Sequence, residues 1–153
     1  MSTSPKFNGI QKKEQQLKIA LLVSDFNFDV TSLMLERARR HAEFLGAEIS
    51  HLVHVPGVYD MPLIIKRLLA RDDVDGVAII GAVIKGDTKH DELIAGTTAS
   101  AAVDLALQFN KPVGLGITGP GMDRMQALDR IDNAKNAVES VVQLIKSQKE
   151  LTS

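Results

Sequence analysis

The chain has no cysteine and no tryptophan, and only one tyrosine and five phenylalanines among its 153 residues. Without thiols it forms no disulfide, and zinc ribbons, iron–sulfur clusters and thiol nucleophiles are excluded. The same absence fits a reducing compartment, and a cytoplasmic location is expected. Neither sign of charge dominates: 18 Lys and Arg face 19 Asp and Glu, for a net charge of −1. That balance excludes a strongly basic nucleic-acid binder and a polyacidic tail protein. Long apolar runs are missing too. Ile19 to Val23 and Val77 to Ile84 are the longest, and they fall well short of the ~20 residues a membrane span needs. Lys12, Lys13 and Glu14 precede no long apolar core, so no secretory leader is expected. What remains is an ordinary globular composition, 44% apolar and 24% charged, in a chain about one domain long.

Residues 1–16 are polar, carry Pro5 and Gly9, and show no periodicity. They predict a flexible N-terminal arm, with Phe7 and Ile10 as anchors should it order against a neighbouring subunit. A single domain is expected over 17–149. Within it, apolar runs alternate with helical patterns. Strands are predicted at Lys18–Ser24, Glu48–Val55, Gly76–Ile84 and Pro112–Ile117. A helix is predicted over Thr31–Leu45, with Leu35, Ala38, Ala42 and Leu45 on one face and His41 on the solvated side. Another is predicted over Asp60–Arg71, with Asp60 as N-cap and Pro62 in the first turn. A third spans His90–Phe109, with Ile94, Ala101, Leu105 and Phe109 on one side, and one or two more cover Met122–Lys149. Four successive β–α units with near-continuously apolar strands predict an α/β three-layer sandwich around a four-stranded parallel sheet, flavodoxin-like in outline.

Ligands of such sheets gather outside the carboxyl ends of the strands. Four segments should meet there: Ser24–Asn27, Val55–Pro62, Lys85–His90 and Thr118–Gly121. Gly86, Asp87 and Thr88 precede a helix start, where backbone N–H groups bind anions. The spacing is not that of a Walker loop. His90, at the same helix start, is a candidate for proton transfer, since histidine is the residue type most often used for that work. Phe26 and Tyr59 are placed to stack on a flat heteroaromatic ligand. Asp60 can accept hydrogen bonds from a ligand or cap its helix. Arg124, Arg130 and Lys135 are candidate phosphate ligands on the last helical region. His51 and His54 are three apart on a strand and so face opposite ways, which predicts structural roles.

In chain order the sequence shows Asp25-Phe26-Asn27, Val55-Pro56-Gly57-Val58-Tyr59-Asp60-Met61-Pro62, then Gly81-Ala82-Val83-Ile84-Lys85-Gly86-Asp87-Thr88-Lys89-His90. Pro112–Ile117 and Gln126-Ala127-Leu128-Asp129-Arg130 follow. From about Leu17 to Ile145 this combination resembles the 6,7-dimethyl-8-ribityllumazine synthase family. Gly119-Pro120-Gly121-Met122 is similar to its archaeal branch.

The resemblance implies condensation of 5-amino-6-(D-ribitylamino)uracil with 3,4-dihydroxy-2-butanone 4-phosphate. Phosphate and water are released and 6,7-dimethyl-8-ribityllumazine forms, the penultimate step of riboflavin biosynthesis. It implies no cofactor and no metal, small-molecule substrates, and neither nucleic acid nor membrane as partner. Carried over by motif, His90 is the proton donor and acceptor. Phe26, Val58, Tyr59, Asp60, Ala82, Val83, Ile84 and Leu115 hold the pyrimidinedione and its ribityl chain. Asp87, Thr88, Arg130 and Lys135 hold the phosphate. Tyr59-Asp60 stands where many relatives have Phe-Glu, and Leu115 where many have Phe. The family's sites lie between subunits of a homopentamer, with Leu115 and Arg130 then coming from the neighbour. Some relatives close pentamers into an icosahedral shell, but the glycine-rich kink of many shell-formers is absent after Arg130. The competing readings are an archaeal-type riboflavin synthase paralogue, a non-catalytic flavin carrier and a pure shell protein.

Overall fold

The computed structural model describes residues 16–86 and 90–152. The expected arm therefore lies outside the described residues except for Gln16, whose amide donates to the Gly46 carbonyl at 3.0 Å. β1 (Lys18–Ser24), β2 (Glu48–Val55), β3 (Gly76–Ile84) and β4 (Val113–Met122) form one parallel sheet in the order β2-β1-β3-β4. That order places a crossover reversal beside β1, as in doubly wound flavodoxin-like sheets. α1 (Phe28–Phe44) and α5 (Asn133–Thr152) cover one face; α2 (Met61–Leu69) and α3 (His90–Phe109) cover the other. A short α4 (Arg124–Leu128) links β4 to α5.

β1 and β3 are the central strands, with six of seven and eight of nine residues buried. Successive side chains point to opposite faces, so a strand covered on both sides must be apolar at nearly every position. Ile19, Leu21 and Val23 accordingly pack under α1 and α5, while Ala20 and Leu22 pack under α2 and α3. β2 lies at the sheet edge and is only partly buried.

Three expected details of α1 change. α1 begins at Phe28 rather than Thr31. Asn27 adopts a left-handed φ of 62°, and its carbonyl accepts the Val30 and Thr31 N–H groups, which starts the helix a turn earlier. The buried stripe becomes Val30, Thr31, Met34, Ala38 and Ala42, with Leu35 and Leu45 at its flank. His41 is not solvated. Its side chain is only 10% exposed, its Nε2 lies 2.8 Å from Glu139 Oε1 on α5, and it stacks on Phe44.

β4 runs on past Ile117 to Met122. Thr118 pairs with Ala82 and Met122 with Ile84, and the Lys85 N–H donates to the Met122 carbonyl at 2.7 Å, so Gly119–Gly121 forms a bulge within β4 instead of a free rim loop. On α3 the buried positions are Asp91, Thr98 and Ala102, the last one residue round from the expected Ala101. Two glycines decide how α5 lies on β4. A Cβ on Gly114 would collide with the Ala137 carbonyl, and one on Gly116 would stand 2.7 Å from the Ile79 carbonyl.

Candidate active site

The carboxyl ends of β1, β2 and β3 enclose an open cleft of about 400 Å³. Its walls are assembled by backbone pairing that continues past the strands. The Asp25 N–H donates to Val55 O at 2.8 Å and the Phe26 N–H to Pro56 O at 2.9 Å, which sets the Phe26 ring beside the β2 exit. A 3-10 turn over Val58–Asp60 then crosses the end of β3. Gly81 permits that approach: a Cβ there would stand 2.6 Å from Val58 Cγ2 and 2.8 Å from Ser24 Oγ. From α3, the Thr98 hydroxyl donates to Val58 O at 2.9 Å and fixes the turn from below.

Phe26, Val58, Tyr59, Asp60, Ala82, Val83, Ile84 and His90 all line this cleft. Neither aromatic ring plugs the core: Phe26 is 75% exposed and Tyr59 62%. An aromatic face left open beside a helix start is available for a planar ligand. His90 is exposed in the first turn of α3.

Asp60 does not cap α2. It sits in the right-handed helical region between the 3-10 turn and the helix, and its Oδ2 accepts the Gly57 N–H at 2.9 Å. The carboxylate thus closes the turn that presents Tyr59, because the turn runs straight into α2 and leaves no extended cap residue.

Leu115, Arg130 and Lys135 are exposed and lie outside this cleft. Leu115 is on β4, Arg130 follows α4, and Lys135 is in the first turn of α5. Asp87 and Thr88 lie outside the described residues. Arg124 is a structural cation instead of an open phosphate ligand. Its guanidinium pairs with Asp29 and donates to Asn27 Oδ1 at 3.1 Å. Asn27 Nδ2 in turn donates to Ala82 O at 2.9 Å, so this asparagine bridges the ends of β1 and β3 in the cleft wall.

Gly86, of the expected anion-binding segment, lines the cleft, and so do Asn27, Pro56, Gly57, Asp91 and Ile94, which were not singled out as ligand contacts. For Asn27 a signal was present: asparagine tolerates the left-handed region better than other side-chain-bearing residues. Asp91 is buried, and its Oδ2 accepts the Gly121 N–H at 2.9 Å. His54 pairs with Asp25 at 2.8 Å, and His51 Nδ1 lies 3.0 Å from Ser50 Oγ. His54 faces a separate cavity of about 230 Å³ on the α1 side.

A doubly wound parallel sheet, with a concave, largely apolar site at its carboxyl rim, defines a small-molecule-binding α/β protein. Among the described residues no helix is long and apolar enough to cross a membrane. Comparison with known proteins narrows the class. The family model for 6,7-dimethyl-8-ribityllumazine synthase matches residues 16–149, and the chain belongs to that family. A 6,7-dimethyl-8-ribityllumazine synthase of Methanococcus maripaludis is 53% identical over 135 residues, covering 88% of this chain and 98% of the relative. Those of Staphylothermus marinus and Picrophilus torridus are each 55% identical. They cover 88% and 85% of this chain, and 90% and 96% of their own lengths. Many of the relatives are archaeal, in keeping with the Gly119–Met122 segment.

Proposed function

We propose that the protein is a transferase that condenses 5-amino-6-(D-ribitylamino)uracil with 3,4-dihydroxy-2-butanone 4-phosphate to 6,7-dimethyl-8-ribityllumazine. One observation carries this reading for a chain of this family. Phe26, the Val58–Asp60 turn, Ala82–Ile84 and His90 come from four separated stretches of sequence and line a single cleft. The primary amine attacks the ketone and water is lost to give an imine. Phosphate then leaves, and the ribitylamino nitrogen closes the second ring with loss of a further water. His90 moves the protons. Phe26 stacks on the pyrimidinedione, the backbone of Ala82, Val83 and Ile84 meets its edge, and Val58, Tyr59 and Asp60 line the ribityl chain. Asp87 and Thr88, which precede α3 in the sequence, are assigned to the phosphate by the family resemblance. Much of the rate comes from holding two reactants in order.

Phosphate departure calls for cations, and the described residues of the cleft include none. Arg130 and Lys135 supply them in this reading, with Leu115 covering the ring, from the adjacent subunit of a homopentamer. Exposed apolar side chains on α3, Leu93, Val103 and Leu107, together with Leu115 on the edge strand, support such an interface. A heterologous contact of this kind closes into a ring. The pentamer is taken as the unit, alone or within a larger shell. A cytoplasmic location belongs to the same reading, supported by the absence of cysteine.

The test mixes the purified protein with both substrates and follows lumazine absorbance and phosphate release together. Catalysed appearance of both, above the spontaneous background, is the expected result. No rate above background from a folded oligomer would sink the reading. Supplying the lumazine itself would then show whether riboflavin forms or the ligand only binds.

A further inference from the structure

The start of α3 is fastened from inside the cleft wall by a carboxylate that the reaction leaves unused. Asp91 directly follows His90 and is only 8% exposed, whereas His90 and Glu92 on either side of it are exposed. A buried carboxylate needs hydrogen-bond donors. Asp91 Oδ2 has the Gly121 N–H at 2.9 Å, and among the described residues no cation stands within ion-pair distance of it. Gly121 takes φ +80°, a left-handed conformation that glycine supplies without strain. The next residue, Met122, accepts the Lys85 N–H at 2.7 Å. The chain is therefore held by two adjacent residues of β4, at its exit from β3 by Met122 and at the start of α3 by Gly121.

We propose that Asp91 is a positioning residue for His90. Its hydrogen bond to Gly121 fixes the first turn of α3 against the end of β4 and so sets where the imidazole stands over the cleft. The inference rests on His90 carrying the protons. What the site requires of Asp91 is an acceptor atom at one place, and its charge is dispensable.

Three variants of the full assembled enzyme separate these properties. Asp91→Asn keeps an acceptor at the same reach, Asp91→Glu keeps the charge but displaces the oxygens by a methylene, and Asp91→Ala removes both. Asp91→Ala is expected to lower kcat by about 10- to 100-fold through misplacement of the reacting group. KM for either substrate should move by less than about threefold. Asp91→Asn should stay within about threefold of the parent, and above Asp91→Glu in kcat. Hydrogen exchange read by mass spectrometry over 118–123 and 90–95 should quicken in Asp91→Ala and stay unchanged in Asp91→Asn. Asp91→Asn falling as far as Asp91→Ala, or Asp91→Glu outperforming Asp91→Asn, would overturn the proposal in favour of the charge. Unchanged exchange around Gly121 in Asp91→Ala would overturn the tether. If Asp91→Ala fails to assemble, the order of Asn and Glu decides. A parent enzyme that forms no lumazine would refute the functional reading instead, while the exchange experiment still reports on the tether.

Discussion

Removing the His90 imidazole is expected to slow turnover by about 10²–10⁴-fold, the range for loss of a general acid/base. Initial rates of lumazine formation by His90→Ala check this, and a loss below about tenfold would leave orientation as the source of the rate. Arg130→Ala should instead raise the apparent KM for the butanone phosphate and leave that for the ribityl substrate nearly unchanged. An unchanged KM for the phosphate substrate would shift the role to Lys135, because Arg124 is already engaged by Asp29 and Asn27. At this scale the sequence spoke unevenly. The aromatic and imidazole groups of the cleft were legible because each followed the carboxyl end of an apolar strand. The Asp60 carboxylate was misread as a helix cap, since nothing local distinguishes a helix start from a 3-10 turn that runs into a helix. The Asp91 tether was not legible at all: its partner lies 30 residues downstream.

Periodicity marked the elements well where each had one environment. β1, β2, β3 and α3 begin and end where the apolar runs do. β4 was cut short because Thr118–Met122 has the composition of a turn, and only the return of Met122 to pairing with Ile84, past a bulge at Gly119–Gly121, carries the strand on. The seam between β4 and α5 depends on missing side chains. Gly114→Ala should lower the melting temperature, with a cost of about 1–3 kcal/mol for overpacking against α5. Calorimetry beside an exposed control such as Gly86→Ala, where a Cβ meets nothing within 4 Å, would expose a wrong account if both fall alike. α1 and α5 are also joined by Glu139. The Gln143 amide first, and His41 second, hold its carboxyl below the ordinary glutamate range. A lowered native pKa means that the unfolded chain binds more protons in acid. The contribution is complete above the ordinary glutamate pKa of about 4.3 and is lost as pH falls through the lowered native value. The melting-temperature gap between parent and Glu139→Gln should therefore be widest near neutrality and close in acid. A gap of equal size at both ends would refute the linkage.

For the whole molecule, a site shared between subunits makes a prediction that no single chain can satisfy. Assayed at a butanone phosphate concentration well below the raised KM of Arg130→Ala, where both variants are slow, His90→Ala and Arg130→Ala proteins should regain activity when unfolded together and reassembled. Random assortment around a ring gives about one competent site in four. No recovery above the separate variants would mean that both residues serve one chain's own site. The parallel sheet and its layers followed from the sequence because successive βα units leave few topologies; the strand order β2-β1-β3-β4 came from the structure. The proposed pentamer came only from the family resemblance, because exposed leucines and valines on α3 look by themselves like any surplus of apolar surface.

The way α5 closes the fold also has a consequence for synthesis. Ala134, Ala137, Val138, Val141, Val142 and Ile145 all lie in the layer beneath which β1 and β3 bury one face. A ribosome adding about 5–20 residues per second finishes β3 seconds before it finishes that lid. During this interval the chain can complete only its other layer. The nascent protein is then a sheet with one finished side and one adhesive side, and that is when protection by a chaperone would matter most.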